Sequence, residues 1–557
     1  MPSNQEIRRM LQLYAELLTL HDQYPKLSGE LASAAYYTRR FSDNIIGLDE
    51  TTINKLFRPS IAKILKELKQ TDTIEALDEL IQLTPAGLFE MMRIKGLGGK
   101  KLAWIWKEAK IDTIEGLLKA CKKNQLSELP GFGKKTESNI IKAIETYTVS
   151  QNHFHYGRIA PIAERLVTKI QQATGSKLVS LCGDIRRQAL TIPGIEIITT
   201  ATTKDLSPAT LKKLMIVKKQ TPNKTTGITQ DEIPVTIHHS KKQNFYFDLF
   251  RLTGNESHAN QVLKKIKNKA GFTSEDEIYK AAKMNYIVPE MREDLAEWDF
   301  FQKPENLVEL KDIKGVVHNH TTWSDGVDTL KDFVEACIEK GYEYTVISDH
   351  SKNAHYAGGL KEEKVLRQMK EIDALNKKVK PFKIFKSIEC DIRVNGDLDY
   401  EEGLLGQFDL VIVSIHQLLK MDEEKATRRL IKAIENPYTT ILGHMTGRLL
   451  LIRPGYPVNY KKVIDACAAN NVVIEINANP YRLDMDWAQI PYALKKGVMI
   501  SVNPDAHSIK EIDNIQWGVS AARKGGLLRD KTWNAMPLKK IEQWIKNKHL
   551  QASAVVS

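Results

Sequence analysis

The sequence predicts a multidomain α/β protein, and three patterns predict it. Residues 5 to about 150 carry apolar positions at intervals of three and four, with Gly or Pro between them, as short amphipathic helices require. From about 176 to 250 the pattern turns to short β-branched or aromatic runs, "KLVSLCGDI", "IEIITTA", "IPVTIHH" and "NFYFDLF", which predict strands of a mixed sheet. From Gly315 onward seven apolar runs alternate with helical stretches, which predicts a (β/α)7 barrel, closed or nearly closed.

Composition limits the rest. At 557 residues the chain is too long for one core. Its formal charge of +12 favours a polyanionic partner, because Lys and Arg neutralise phosphates and release counterions. Cys121, Cys182, Cys337, Cys390 and Cys467 form no CxxC pair, which argues for reduced thiols and against a zinc ribbon or a disulfide frame. The opening "MPSNQEIRRMLQLYAELLTL" is charged throughout, and no run elsewhere has the length of a membrane span. A cytoplasmic, monomeric protein without a membrane partner is expected. Changes of pattern place helical domains at 1–85 and 86–150, a sheet domain at 151–257, a helix-and-loop segment at 258–305 and the barrel at 306–557. The stretch "KPENLVELKDIKG" has the character of a linker.

In the barrel the runs are "GVVHNH", "YTVISDH", "KIFKSIECD", "LVIVSIHQ", "TTILGHMTGR", "VVIEINANP" and "VMISVNPDAH". Six reach a His, Asp or Glu near the C-terminal end, where barrel enzymes keep their chemistry. "VVIEINANP" ends instead in Asn477 and Asn479, with Glu475 inside it. The candidate metal ligands are His318, His320, Asp325, His350, Glu389, His416, His444, Asp505 and His507. Imidazole and carboxylate together suit zinc, manganese or iron. Any one of these histidines alone would read as a hydrogen-bonded structural group; equivalent strand ends converging on one cleft read otherwise. Lys352, Arg448 and Arg453 are candidate phosphate contacts, with solvated surface cations as the alternative.

These motifs resemble the PHP family (polymerase and histidinol phosphatase), a (β/α)7 barrel with a trinuclear metal site. The resemblance spans residues 311 to 557 and fills all nine ligand positions. It implies that His318, His320, Glu389 and Asp505, the catalytic set, hold one metal. Glu389, His416 and His444 would hold a second, and Asp325, His350 and His507 a third. Divalent cations roughly 3.5 to 4 Å apart activate water and neutralise a phosphoryl oxygen, the chemistry of phosphoester hydrolysis.

Upstream, "RIKGLGGKKLAWIWKE" and "ELPGFGKKTESNIIKAI" each place a GxG turn between helical patterns. Such a helix-hairpin-helix turn exposes backbone N–H groups that hold a DNA phosphate without reading sequence. The residues concerned are Gly96, Gly98 and Lys100, then Gly131, Gly133 and Lys134. A third segment, "LFRPSIAKILKEL", has Leu56, Phe57 and Arg58 where glycine is needed.

Hairpins, a sheet carrying "GDIRR" and a PHP barrel follow the order of bacterial family X DNA polymerases, and the resemblance covers nearly the whole chain. It implies a nucleotidyltransferase-like palm at 151–257, followed by a thumb-like segment, with "MNYIVPEMRED" similar to the end of the family's polymerase core. The family palm motif reads approximately G-S-x-R-R-x-x-x-x-x-G-D-x-D. Aligned on Gly183, Arg186 and Arg187, it puts Asp184 at the Ser, Gly194 at the first catalytic Asp and Glu196 at the second. Asp248, in "NFYFDLF", is expected to be the third carboxylate, from a later strand. Two-metal nucleotidyl transfer needs several carboxylates, and glycine supplies none. The polymerase site is therefore expected to be disabled, with a rearranged set of Asp184, Glu196 and Asp248 as the way out.

The expected function is a metal-dependent DNA phosphoesterase, a 3′-5′ exonuclease or 3′-end processing enzyme of DNA repair, holding up to three divalent metals and binding DNA without sequence preference. Abasic-site cleavage is possible by the same resemblance. Three alternatives stay open: an active family X polymerase with PHP proofreading in base excision repair, a phosphatase of a small phosphorylated metabolite, and a DNA-binding scaffold.

Overall fold

A computed structural model of the chain describes residues 2–38, 41, 44–94, 96–126, 132–212, 214–267, 269–295, 297–299 and 304–556. The chain divides into two compact units, Met1–Gln151 and Asn152–Ser557.

The first unit is helical. Ser3 starts the helix Asn4–His21 with a reciprocal cap: Glu6 N–H donates to Ser3 Oγ at 3.3 Å, and Ser3 N–H donates to the Glu6 carboxylate at 2.7 Å. Its buried Leu11 and Leu18 share a core with Leu31, Leu65 and Leu102 from later helices. The glycine-free segment folds as Glu50–Leu56 and Pro59–Thr71, with buried Phe57 in the turn. Helices Ala86–Met92 and Gly99–Lys107 flank the first glycine hairpin, and Gly98 stands at the N-cap. In the second hairpin, Gly133 precedes helix Lys134–Asn152. Gly131 and the side chain of Lys134 lie outside the described residues.

The second unit opens with the helix Tyr156–Thr174 and a five-stranded sheet. Its strands are β1 (Val179–Cys182), β2 (Ile195–Thr199), β3 (Ile216–Thr221), β4 (Lys224–Ile228) and β5 (Pro234–His239), in the order β1-β2-β5-β4-β3. Strand β2 runs antiparallel to β1 and parallel to β5, so the sheet is mixed. The strand expected at "NFYFDLF" is instead part of a helix, Phe245–Thr253. Its buried Phe245, Leu249 and Phe250 follow helical spacing; a seven-residue aromatic run fits either period, and packing decides.

Seven parallel strands follow: β6 (Gly315–Asn319), β7 (Tyr344–Ile347), β8 (Lys383–Asp391), β9 (Leu410–Ser414), β10 (Ile441–Leu442), β11 (Val473–Asn477) and β12 (Ile500–Asn503). Each pairs with the next, and the barrel closes where His320 N–H donates to the Ala506 carbonyl at 2.8 Å. The linker-like segment is pinned to the barrel: Leu307 and Val308 are fully buried, and Val308 N–H donates to the Leu527 carbonyl at 3.0 Å. Charge joins palm and barrel as well. Buried Lys524 donates to the carbonyls of Arg187 (3.0 Å) and Glu290 (3.2 Å) and pairs with Glu293, which also meets Arg187 Nε at 3.0 Å.

Candidate metal centre

The nine expected ligands gather at the C-terminal mouth of the barrel. His318 lies in β6 and Glu389 in β8, while His320, Asp325, His350, His416, His444, Asp505 and His507 occupy the loops that follow strands. Parallel strands in register bring these loops to one end, which is why residues far apart in sequence meet here.

Glu389 is the hub. Its carboxylate lies 3.2 Å from His318 Nε2, 3.1 Å from His416 Nε2, 3.0 Å from His444 Nε2 and 2.9 Å from His350 Nδ1. Asp505 stands 3.2 Å from His320 Nε2 and 3.7 Å from His318 Nε2. Asp325 is 3.5 Å from both His350 Nε2 and His507 Nε2, with His320 Nδ1 at 3.9 Å. The donor atoms fall into overlapping groups, His320/Asp325/His350/His507, His318/His320/Asp505, His318/Glu389/His444 and His350/Glu389/His416. Compared with the grouping the resemblance implies, His320 also sits in the Asp325 group and His350 also touches Glu389.

The donors fit divalent cations. His318 Nε2, both ring nitrogens of His320, His350 Nδ1, Glu389 Oε2 and His444 Nδ1 are buried and make no hydrogen bond, although most face a carboxylate or another ring. A buried polar atom left without a partner costs about 1 to 3 kcal/mol, and of these atoms His444 Nδ1 faces neither a hydrogen-bond partner nor a carboxylate. His318 and Asp505 also hold left-handed backbone, with φ of 65° and 51°. Strain of that kind, of order 1 to 3 kcal/mol per residue, persists where a site is over-determined.

Charge within the cluster is finely divided. Burial opposes a charged ring at His350, but Glu389 and Asp325 outweigh it and raise its pKa to about 9. Against the same burial, Glu389 and Asp391 raise His416 to about 10, and Asp325 and Asp505 raise His507 to about 9. His320, buried beside His350 and His507, falls to about 3. Burial is likewise overcome at Glu389 and Asp505, which the histidines hold well below the usual carboxylate range. The lone pairs that share protons here are those a cation takes up.

A layer of supporting residues was not singled out by sequence reasoning. Glu475 accepts from His318 Nδ1 at 2.5 Å, from His444 N–H at 3.0 Å and from the amides of Asn477 and Asn503 at 3.0 and 2.8 Å. Asp391 plays the same part for His416 Nδ1. Their signal in the sequence was a carboxylate inside an apolar strand, "VVIEIN" and "IECD".

The candidate phosphate contacts all have partners within the barrel. Arg448 commits its guanidinium to Asp486 at 2.5 Å and to the carbonyls of Arg482 and Leu483, and so clamps a loop. Lys352 is paired with Glu362 at 2.5 Å. Arg453 donates to the Gly447 carbonyl at 2.8 Å, and its Nε has no hydrogen-bond partner. Arg482, 3.7 Å from Asp505, is the one guanidinium among the described residues within ion-pair distance of a cluster carboxylate.

Among the described residues, no metal-ligating group of three or more side chains contains more than one of the four palm residues. Asp184 pairs with Arg187. Gly194 packs against β5 so closely that a Cβ would lie 2.6 Å from the Pro234 carbonyl oxygen, leaving no room for any side chain. Glu196 bonds His238 Nε2 at 3.0 Å. Asp248 lies on the helix Phe245–Thr253, not on a strand, where it accepts from Ser240 at 2.7 Å and faces Arg251 at 3.7 Å. The strand residue opposite Glu196 is Thr236, so the neighbouring position on the sheet carries no carboxylate.

In the first unit, Gly96 takes φ +91°, and the amide of Leu102 closes the first turn of the next helix on the Gly98 carbonyl at 3.0 Å. Lys100 is exposed at the start of that helix.

Comparison with known proteins agrees with this architecture. Residues 88–146 match the SAM-like helix-hairpin-helix tandem model and residues 317–479 the PHP domain model. The chain is 31% identical over 563 residues to the DNA polymerase/3′-5′ exonuclease PolX of Bacillus subtilis, covering 97% of this chain and 99% of that protein. The chain belongs to the bacterial family X DNA polymerases with a C-terminal PHP domain. Within this family X chain the barrel is also similar to free-standing proteins. A probable phosphatase of Thermoanaerobacter sp. (strain X514) is 28% identical over 248 residues, 42% of this chain and 94% of that protein. A probable phosphatase of Caldanaerobacter subterraneus is 28% identical over 207 residues, 34% of this chain and 74% of that protein. No helix among the described residues of the family X chain is long and apolar enough to cross a membrane.

Proposed function

We propose that this chain is a metal-dependent DNA phosphoesterase, a 3′-5′ exonuclease or 3′-end processing enzyme of DNA repair, on a family X frame whose polymerase site is disabled. The observation that carries the reading is the set of buried, hydrogen-bond-free ring nitrogens around Glu389 and Asp505. His318, His320, Glu389 and Asp505 would hold one cation, Glu389, His416 and His444 a second, and Asp325, His350 and His507 a third, as zinc, manganese or iron. Bound there, such cations supply an activated water and neutralise phosphoryl charge. Glu475 and Asp391 keep the rings of His318 and His416 turned toward the cleft. Arg482 replaces Arg448 as the cation facing a substrate phosphate. In the helical unit, the hairpin at Gly96, Gly98 and Lys100 offers backbone amides to a DNA phosphate without reading its bases, and Gly131, Gly133 and Lys134 would do the same in the second hairpin. The chain would act in the cytoplasm as a monomer.

Gly194, Thr236 and the helical placement of Asp248 support the loss of nucleotidyl transfer, since two metals against a triphosphate need more than one carboxylate. The name of the Bacillus subtilis relative favours the second reading, an active polymerase with an exonuclease. One gel assay separates them, using a 5′-labelled primer-template with manganese, with and without four nucleotides, for the wild type and His318→Ala/His320→Ala. Shortening that vanishes in the variant, without nucleotide-dependent extension, is the expected result. Template-dependent extension by either protein would overturn the disabled-polymerase reading, and shortening that survives in the variant would overturn the barrel as its source.

A further inference from the structure

The palm strands carry a second cluster of metal-ligating type that the barrel chemistry does not use. Cys182 stands opposite Glu196 in the antiparallel pair of β1 and β2, and His238 stands opposite Ile198 in the parallel pair of β2 and β5. Because residues i and i+2 of a strand share a face, Cys182, Glu196 and His238 all project from the same side of the sheet. Their donor atoms all lie within 4.8 Å of one another. Among the described residues Cys182 is the one cysteine in any such group.

From this geometry we infer that the palm holds a single thiophilic divalent cation, zinc by preference, between Cys182 Sγ, a Glu196 carboxylate oxygen and His238 Nε2. Tetrahedral zinc with donors at its usual 2.0 to 2.3 Å needs donors roughly 3.3 to 3.8 Å apart, so modest side-chain shifts suffice. Glu196 and His238 already meet at 3.0 Å. The residue after Cys182 leaves room for this: Gly183 has φ +64°, and a Cβ there would stand 2.7 Å from Glu196 Oε1. Cys182 is fully buried and forms the floor, while the side chains of Glu196 and His238 remain 39% and 20% exposed, so a cation reaches the site from solvent.

The donor set decides the metal. A palm holding magnesium presents carboxylates, but here Gly194 has no side chain and Thr236 occupies the strand position opposite Glu196. Sulfur, nitrogen and one oxygen select a borderline-soft ion over magnesium. The charges balance: His238 binds as a neutral ring with its proton on Nδ1, the cation displaces one proton from the Cys182 thiol to solvent, and thiolate and carboxylate together neutralise the dication.

The test uses the full chain, stripped with a chelator and titrated with cobalt(II). None of the expected barrel ligands is a cysteine, so a thiolate-to-cobalt charge-transfer band in the near ultraviolet reports the palm alone. The band is expected to saturate at one equivalent, to be displaced by zinc and to vanish in Cys182→Ser, which also loses one zinc per chain by elemental analysis while manganese-dependent DNA shortening stays unchanged. His238→Gln, at a partly exposed position, keeps the fold in view should Cys182→Ser misfold, and is expected to weaken cobalt binding by more than about tenfold. A wild-type chain without the band, a band that persists in Cys182→Ser, or unchanged affinity in His238→Gln overturns the inference. Because the band is read without DNA, its outcome is independent of whether the barrel is a nuclease.

Discussion

The Glu475 carboxylate lies 2.5 Å from His318 Nδ1 and also accepts the backbone N–H of His444, so one buried acid orients the ring of His318 and anchors the main chain at His444. Glu475→Gln preserves its shape but withdraws the negative charge behind His318. Manganese affinity is expected to fall about 10- to 100-fold with an unchanged far-ultraviolet spectrum. Isothermal titration checks it, and unaltered affinity would mean that His318 is oriented by other contacts.

Cations that satisfy the buried ring nitrogens should stabilise the fold by linkage. Manganese at about 100 times its dissociation constant is expected to add about 2.7 kcal/mol per site to the stability of the second unit. The increment, read from urea midpoints with and without chelator, should shrink in His318→Ala/His320→Ala.

An acid placed at residue 194 should confer no templated extension. In Gly194→Asp the new Cβ meets the Pro234 carbonyl oxygen at 2.6 Å, so strand β5 must move. Overpacking of this kind costs typically about 1 to 3 kcal/mol. The expected outcome is a lower Tm and no templated extension; extension by this variant would show that the sheet yields to an acid at residue 194.

Lys524 holds the barrel against the palm through Glu293 and the Arg187 and Glu290 carbonyls. Lys524→Met fills the space but leaves those acceptors short of a donor. A loss of about 3 to 5 kcal/mol is expected, as for other broken buried pairs. Urea denaturation measures it, and a neutral result would mean that Arg187 alone satisfies Glu293.

Burial disfavours the Glu275 carboxylate, but Arg292 and Arg186 outweigh it and depress its pKa from 4.5 to about 2. A depressed folded-state value stabilises the protein above the unfolded pKa, and the contribution drains away as pH falls from about 4.5 toward 2. Unfolding free energies between pH 7 and pH 2.5 should show this decline in the wild type and a shallower one in Glu275→Gln, which lacks the contribution at every pH.

Much of the candidate centre was legible in the one-dimensional pattern. A His or Asp at the end of an apolar run carries its meaning locally, because a parallel barrel turns every strand's C-terminal end to the same mouth. "NFYFDLF" was misread because seven aromatic-rich residues satisfy two periods, and burial of Phe245 and Leu249 against the palm strands and of Phe250 in the core of the following segment chooses the helix. The partners of Arg448 were not legible in the sequence because Asp486 and the Leu483 carbonyl lie more than thirty residues away.

The sequence by itself determined the order of the modules, the identity of the metal-type donors and the absence of a carboxylate at residue 194, since these follow from residue type and local spacing. Only the tertiary structure decided that Gly194 has no room for a side chain, that Thr236 faces Glu196, that Arg482 rather than Arg448 faces the cluster, and that Cys182 and His238 meet across two strand pairings. The physical reason is that register, burial and competing hydrogen-bond acceptors belong to residues brought together by folding, and no window along the chain contains both partners.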